Sequence, residues 1–276
     1  MNKKIWFILA LVLVSLMVVG TASAGLLDFM GGGNTSNQTA NDENTFIVGF
    51  DAEFPPYGYK DDSGNYTGFD LDLAKEVCER NNWTFKAQPI DWDAKDAELD
   101  SGSIDCIWNG FTIDGRENDY LWSNPYFDNK QIFVVKSSSD IKSISDLAGK
   151  TVETQKDSSA LAALEGDNKT IAGTFAALNQ VADYNTAFMD LESGACDAVA
   201  MDIGVAEYDI GQKNNSDDYS ILEEYITTEK YGVGFKKGND ALKDQVQTTL
   251  DEMFKDGTVL KIAEKYGISE DALIQP

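Results

Sequence analysis

The alternation of short apolar runs with helical-period stretches between residues 46 and 108 constrains the fold more than any other feature of this chain. Phe46-Ile47-Val48-Gly49-Phe50 is a compact apolar run. Behind Asp70, a candidate N-cap, Leu71, Leu73, Ala74, Val77 and Cys78 recur at helical spacing. Residues 84–89 alternate as a strand, 94–101 suit a helix, and Ile104-Asp105-Cys106-Ile107-Trp108 reads as a buried strand entering an Asn109-Gly110 loop. A β-α-β-α-β order of this kind predicts a parallel sheet.

The same alternation starts again further on. Residues 131–136 form a strand, a short helical stretch at 144–150 feeds Thr151-Val152-Glu153-Thr154, and Asp157-Ser158-Ser159 opens a helix over 160–164. Helices at 186–192 and 205–212 flank an apolar strand that ends Ala198-Val199-Ala200-Met201-Asp202. A strand over 231–235 then precedes two amphipathic helices, at 240–254 and 257–266. This order predicts two α/β lobes joined by two crossings: 45–126 with 231–276 as the first lobe, 131–226 as the second, and 127–130 with 227–230 as the hinge. Ligands of such sheets sit beyond the carboxyl ends of the strands, which here is the cleft between lobes.

Residues 1–24 have the layout of a secretory leader: Lys3 and Lys4, an apolar run from Ile5 to about Gly20, and Ala22-Ser23-Ala24. Export with cleavage after Ala24 is expected, with an uncleaved membrane anchor as the alternative. Residues 25–44, rich in Gly, Asn, Ser and Thr, carry too little apolar area to offset the entropy of ordering and are expected to be a flexible tether. The formal charge of the chain is -25, which makes nucleic acid a poor partner and favours solubility outside the cell. There is no histidine, and Cys78, Cys106 and Cys196 are too widely spaced for a zinc site. No metal or other cofactor is expected. Cys78 and Cys106 either pair or, with Cys196, stay as buried free thiols.

A free amino acid presents a carboxylate, an ammonium group and one variable side chain. A site for it needs a planar cation, an anion and an adaptable wall, and Arg116, Asp202 and the aromatics Phe54 and Trp92 are of those types. Each has an ordinary alternative: a surface ion pair for Arg116, a helix cap at Ile203 for Asp202, and core packing for the two aromatics. Ser158 and Ser159 either cap their helix or offer its free N–H groups to a carboxylate.

Taken together, the Phe54-Pro55-Pro56-Tyr57-Gly58 loop, Phe69-Asp70-Leu71-Asp72-Leu73, the Asn109-Gly110-Phe111-Thr112 loop with Arg116, and the Asp197-Ala198-Val199-Ala200-Met201-Asp202 strand end resemble the polar amino-acid solute-binding proteins of ABC importers. The resemblance spans nearly all of the chain beyond the tether. It implies a two-lobed type II periplasmic-binding-protein fold, with a ligand cleft between lobes and a two-strand hinge. It further implies Phe54 and Trp92 flanking the ligand, Gly110 and Thr112 meeting the ammonium and carboxylate, Arg116 binding the carboxylate, an amide of Ser159 supporting it, and Asp202 binding the ammonium. Asp51, ahead of the aromatic loop, is a further candidate. The chain departs from the family pattern in two places. The segment from Thr112 to Arg116 is one residue short and lacks a glutamate, and Asp157 stands where a glycine is usual, with helix capping its expected role.

The implied function is an exported, monomeric receptor that closes around one polar, cystine-like or basic amino acid and delivers it to an ABC permease and ATPase on separate chains, a binding protein rather than an enzyme. The alternative is a cyclohexadienyl dehydratase-like enzyme on the same scaffold, with Glu53 or Asp157 as general acid. The sensor half of a membrane receptor is a third reading.

Overall fold

The computed structural model describes residues 44–275. The expected leader at 1–24 and tether at 25–44 lie outside the described residues, apart from Asn44. Two open sheets follow. In the first, Thr84–Pro89, Thr45–Phe50 and Cys106–Ile107 run parallel in that order, and Gly234–Phe235 and Leu121–Trp122 extend it antiparallel. In the second, Ala177–Val181, Thr151–Gln155 and Ala198–Asp202 are parallel, while Phe127–Lys136 and Tyr219–Ile221 continue it antiparallel. The parallel cores are the expected ones, and helices Phe69–Asn81, Ser159–Glu165 and Tyr184–Ser193 pack on them through their apolar stripes.

The strands that pass between the sheets pair with each other. Thr227–Tyr231 lies antiparallel to the start of Phe127–Lys136, from Thr227 opposite Gln131 to Tyr231 opposite Phe127. The rings of Phe127 and Tyr231 stack at 5.4 Å and 11°. Tyr57, from the aromatic loop, sets its ring edge-on against both. A small antiparallel sheet of Glu53–Phe54, Gly58–Lys60 and Tyr66–Thr67 carries that loop.

Three local expectations are corrected. The strand expected over 231–235 is two strands, Thr227–Tyr231 and Gly234–Phe235. The chain changes sheets between them, because Tyr231 pairs with Phe127 whereas Gly234 pairs with Ile107 and Trp122. Asp70 is not the cap of its helix, whose N-cap is Gly68. Its side chain is fully buried and accepts from Gly110 N at 2.5 Å and Tyr126 Oη at 2.8 Å, which ties the Asn109-Gly110 loop to the first helix. Finally, the helix after Asp157 is capped by Ser158, which accepts from Leu161 N, and Asp157 turns to another partner described below. The three cysteines are buried and free.

Candidate functional site

The two lobes meet around a cavity of about 280 Å3, open solvent at its mouth included. Phe54, Trp92, Gly110, Thr112 and Arg116 reach it from the first sheet's loops, and Ser159 and Asp202 from the second's. Asp51 does not line it; it faces a neighbouring, larger cleft. Asn109, Gln155 and Ser158 complete the wall.

On the first-lobe side, Phe54 ends a two-residue strand and packs beside Tyr57 and, across the cleft, Tyr184. Trp92 opens the short turn Trp92–Ala94 and meets Phe111 edge-on at 5.5 Å. Gly110 has φ 53, and a Cβ there would come within 2.7 Å of Phe54, so the loop needs a residue that is free in the left-handed region and has no side chain. Arg116 Nη1 donates to Thr112 O at 3.5 Å and Nη2 to Asp157 O at 3.1 Å, with the guanidinium over the Phe111 ring. Its partners are carbonyls and a ring, with no carboxylate of the described residues at ion-pair distance, so the ordinary surface ion pair is not what the structure contains. A charged fork held in place this way is suited to a carboxylate.

On the second-lobe side, Asp202 stands at the N-cap position of helix Ile203–Gln212 but makes no side-chain cap bond. Its Oδ1 accepts instead from Asn129 Nδ2 at 2.7 Å, Gln131 Nε2 at 2.7 Å and Tyr231 Oη at 2.5 Å. Burial, then the charge of Glu229, push its pKa up to about 8, against the pull of those three bonds. Glu229 is 4% exposed, and no lysine or arginine of the described residues pairs with either acid. Two charges about 5 Å apart repel by about 3 kcal/mol at an effective dielectric near 20. A site of this kind favours a cation or a proton. Asn129 Oδ1 and Gln131 Oε1 are also buried without a hydrogen-bond donor among the described residues.

Asp51 acts at one remove. Its Oδ2 accepts from Gln155 Nε2 at 2.6 Å, so an acid of the first lobe orients an amide of the second that does line the cavity. Burial raises its pKa to about 6, while bonds from Glu53 N and Gln155 oppose the rise. Asp157 has φ 55, the left-handed conformation in place of the usual glycine, and its carboxylate ion-pairs with Lys95, whose side chain is 2% exposed. Lys95 Nζ also sits 5.2 Å from the centre of the Trp92 ring.

The sequence reading missed Asn129, Gln131 and Glu229. The signal for them was the period of two in the crossing strands. Phe127, Asn129 and Gln131 alternate inward, and Glu229 alternates inward with Tyr231.

Two sheets of mixed parallel strands, two paired crossings and a cavity between lobes define a two-lobed, type II periplasmic binding protein. Residues 46–269 match the model of the bacterial extracellular solute-binding proteins, family 3, and the chain belongs to that family. It is 31% identical over 225 residues to the L-cystine-binding protein of Escherichia coli, covering 80% of this chain and 82% of that one. It is similar in structure to an ABC uptake transporter substrate-binding protein of Streptococcus pneumoniae solved with bound histidine: TM-score 0.81, 34% identity, 84% of this chain and 95% of that one. An ancestral arginine-binding protein bound to arginine gives TM-score 0.75 and 37% identity over 81% of this chain and 98% of its own. No helix among the described residues is long and apolar enough to cross a membrane.

Proposed function

We propose that this chain is an exported receptor that binds one free amino acid between its lobes and presents the closed form to an ABC permease and its ATPase. The observation that carries the reading is a single cavity whose wall holds both a guanidinium without an acid partner, Arg116, and a buried aspartate without a basic one, Asp202. An α-amino acid zwitterion complements that arrangement, since its carboxylate suits Arg116 and the Ser159 amide, and its ammonium suits Asp202 and the Thr112 hydroxyl. Phe54 and Trp92 then flank the side chain. Contacts from both lobes favour the closed form, and closure is a hinge motion about the paired crossings.

The side-chain class follows from what lies past Trp92. The adjoining cleft is walled by Asp51, Glu53, Asp91, Asp93, Glu98 and Asp183 against Lys156 alone, which favours a polar or basic side chain over an acidic one. Names of relatives support the same class, with cystine, histidine and arginine among their ligands.

A thermal-shift screen of the exported domain against the amino acids, cystine and prephenate tests the reading, because a ligand specific for the folded state raises Tm. A shift with one amino acid that is lost in Asp202→Ala and Arg116→Ala is the expected result. A shift with prephenate alone would move the assignment to the dehydratase.

A further inference from the structure

The second crossing carries a carboxylate that the amino-acid reading does not use. Glu229 Oε1 accepts from Thr112 Oγ1 of the first lobe at 3.0 Å and from Ser159 Oγ of the second at 3.2 Å. It also accepts from Asn129 Nδ2 at 2.8 Å and Gln131 Nε2 at 2.7 Å, the two nitrogens that donate to Asp202 Oδ1. The two 2.7 Å bonds to Gln131 Nε2 place Asp202 Oδ1 and Glu229 Oε1 no more than about 5.4 Å apart.

Every element packed around this pair contributes a group. Asn129, Gln131 and Tyr231 come from the crossings, and the Tyr57 hydroxyl from the aromatic loop. Tyr184 comes from helix Tyr184–Ser193, Ser159 from helix Ser159–Glu165, and Thr112 and Arg116 from the loop after Cys106–Ile107. Burial holds the Tyr57, Tyr184 and Tyr231 hydroxyls well above their ordinary pKa, so all three stay protonated in the neutral range. Arg116 is the one cation among these groups, and its donors go to the carbonyls of Thr112 and Asp157.

We propose that Asp202, buried beside the Glu229 carboxylate with which it shares the Asn129 and Gln131 donors, holds a proton until the ammonium group of an amino acid enters the cavity, and that capture of the ammonium expels that proton to solvent. The proposal rests on the amino-acid receptor reading. One positive charge replaces another, so the buried pair keeps its charge balance throughout. Thr112 Oγ1 spends its single hydrogen on Glu229 Oε1. The lone pairs of Thr112 are then free for the ammonium. Glu229 is thus a positioning residue that acts through Thr112 and Asp202, and because it bonds a hydroxyl from each lobe, the exchange is tied to the closed arrangement.

Calorimetric titration of the exported domain with L-arginine, L-glutamine and L-cystine, in phosphate and in Tris at pH 7, counts the protons exchanged. Release of most of one proton per ligand bound is expected, with Kd rising up to tenfold for each pH unit lowered from 8 to 6. Glu229→Gln keeps the size and an acceptor for Thr112; burial still raises Asp202 there but the Glu229 charge no longer does, so the release at pH 7 is expected to fall and the profile to move to lower pH. Asp51 and Asp70, whose pKa values are raised to about 6 and about 7, remain in that variant. An unchanged release in Glu229→Gln would therefore assign the proton elsewhere and overturn the proposal. Binding by the native protein with no proton exchanged would also overturn it, with no variant needed. Failure of every amino acid to bind would instead remove the receptor reading, and this proposal with it.

Discussion

At the scale of the residue, the site is a set of polar groups whose ordinary partners are other polar groups of like kind. Asp202 accepts three hydrogen bonds and meets no lysine or arginine, so it is satisfied in number but not in charge. Asp202→Asn keeps the shape and removes the charge that an ammonium needs. Truncating one side of a buried charge pair costs roughly 2–5 kcal/mol, so amino-acid affinity is expected to fall by a factor on the order of 30 or more, measured by titration calorimetry. An affinity within a few fold of native would mean that the ammonium is held elsewhere. The sequence made Asp202 and Arg116 visible because each stands at a motif end, beyond a strand or a loop. Glu229 was not visible in that way: it lies in a crossing read only as a hinge, and its burial depends on pairing with a strand about a hundred residues away.

At the scale of the element, two contacts between lobes bear on closure. Helix Lys95–Ser101 of the first lobe supplies Lys95, and the turn before helix Ser159–Glu165 of the second supplies Asp157. Asp157 is half exposed, so solvent screening limits the pair to about 1 kcal/mol. Asp157→Gly suits the left-handed backbone better and removes the pair. The variant is expected to keep native stability, bind its amino acid about fivefold more weakly, and give a larger radius of gyration without ligand, read by small-angle scattering. An unchanged radius and affinity would show that the pair plays no part in closure. The second contact is at Gly204, in the first turn of helix Ile203–Gln212, where a Cβ would lie 2.3 Å from Tyr57 Oη. Tyr57 is held by Phe127 and Tyr231 and has little room to yield. Gly204→Ala is therefore expected to weaken binding at least tenfold, and normal affinity would show that the rings can shift. Neither contact could be read from sequence, because each joins segments of the two lobes that lie far apart in the chain. The parallel strands and most helices could be, since their apolar periods are local. The sheet change after Tyr231 was hidden inside one apolar run.

At the scale of the whole molecule, burying acids for recognition sets stability against pH. Burial is the first cause of the raised pKa at Asp51, to about 6, at Asp70 and Asp209, to about 7 each, and at Asp202, to about 8. In the unfolded chain these groups titrate near 3.9. Between that value and the folded one, the native state holds a proton that the unfolded state has released, so stability falls as pH rises. The contribution is fully present below about pH 4, falls from there, and is gone once pH has passed the folded values of about 6 to 8. Each proton by which the states differ is worth about 1.4 kcal/mol per pH unit, or roughly 3–5 °C in Tm for a domain of this size. Scanning calorimetry of the ligand-free protein is therefore expected to show Tm falling from pH 5 to pH 8. The formal charge of -25 adds surface repulsion, but that repulsion is screened within about 3 Å at 1 M salt, whereas protons held in the interior are not. The fall should persist at 1 M salt, and Asp202→Asn should remove close to one proton's worth of it between pH 6 and 8. A Tm that is flat with pH at 1 M salt would mean that these acids are ionised in the native state, and that the lobes tolerate the buried charge without a proton or a ligand to balance it.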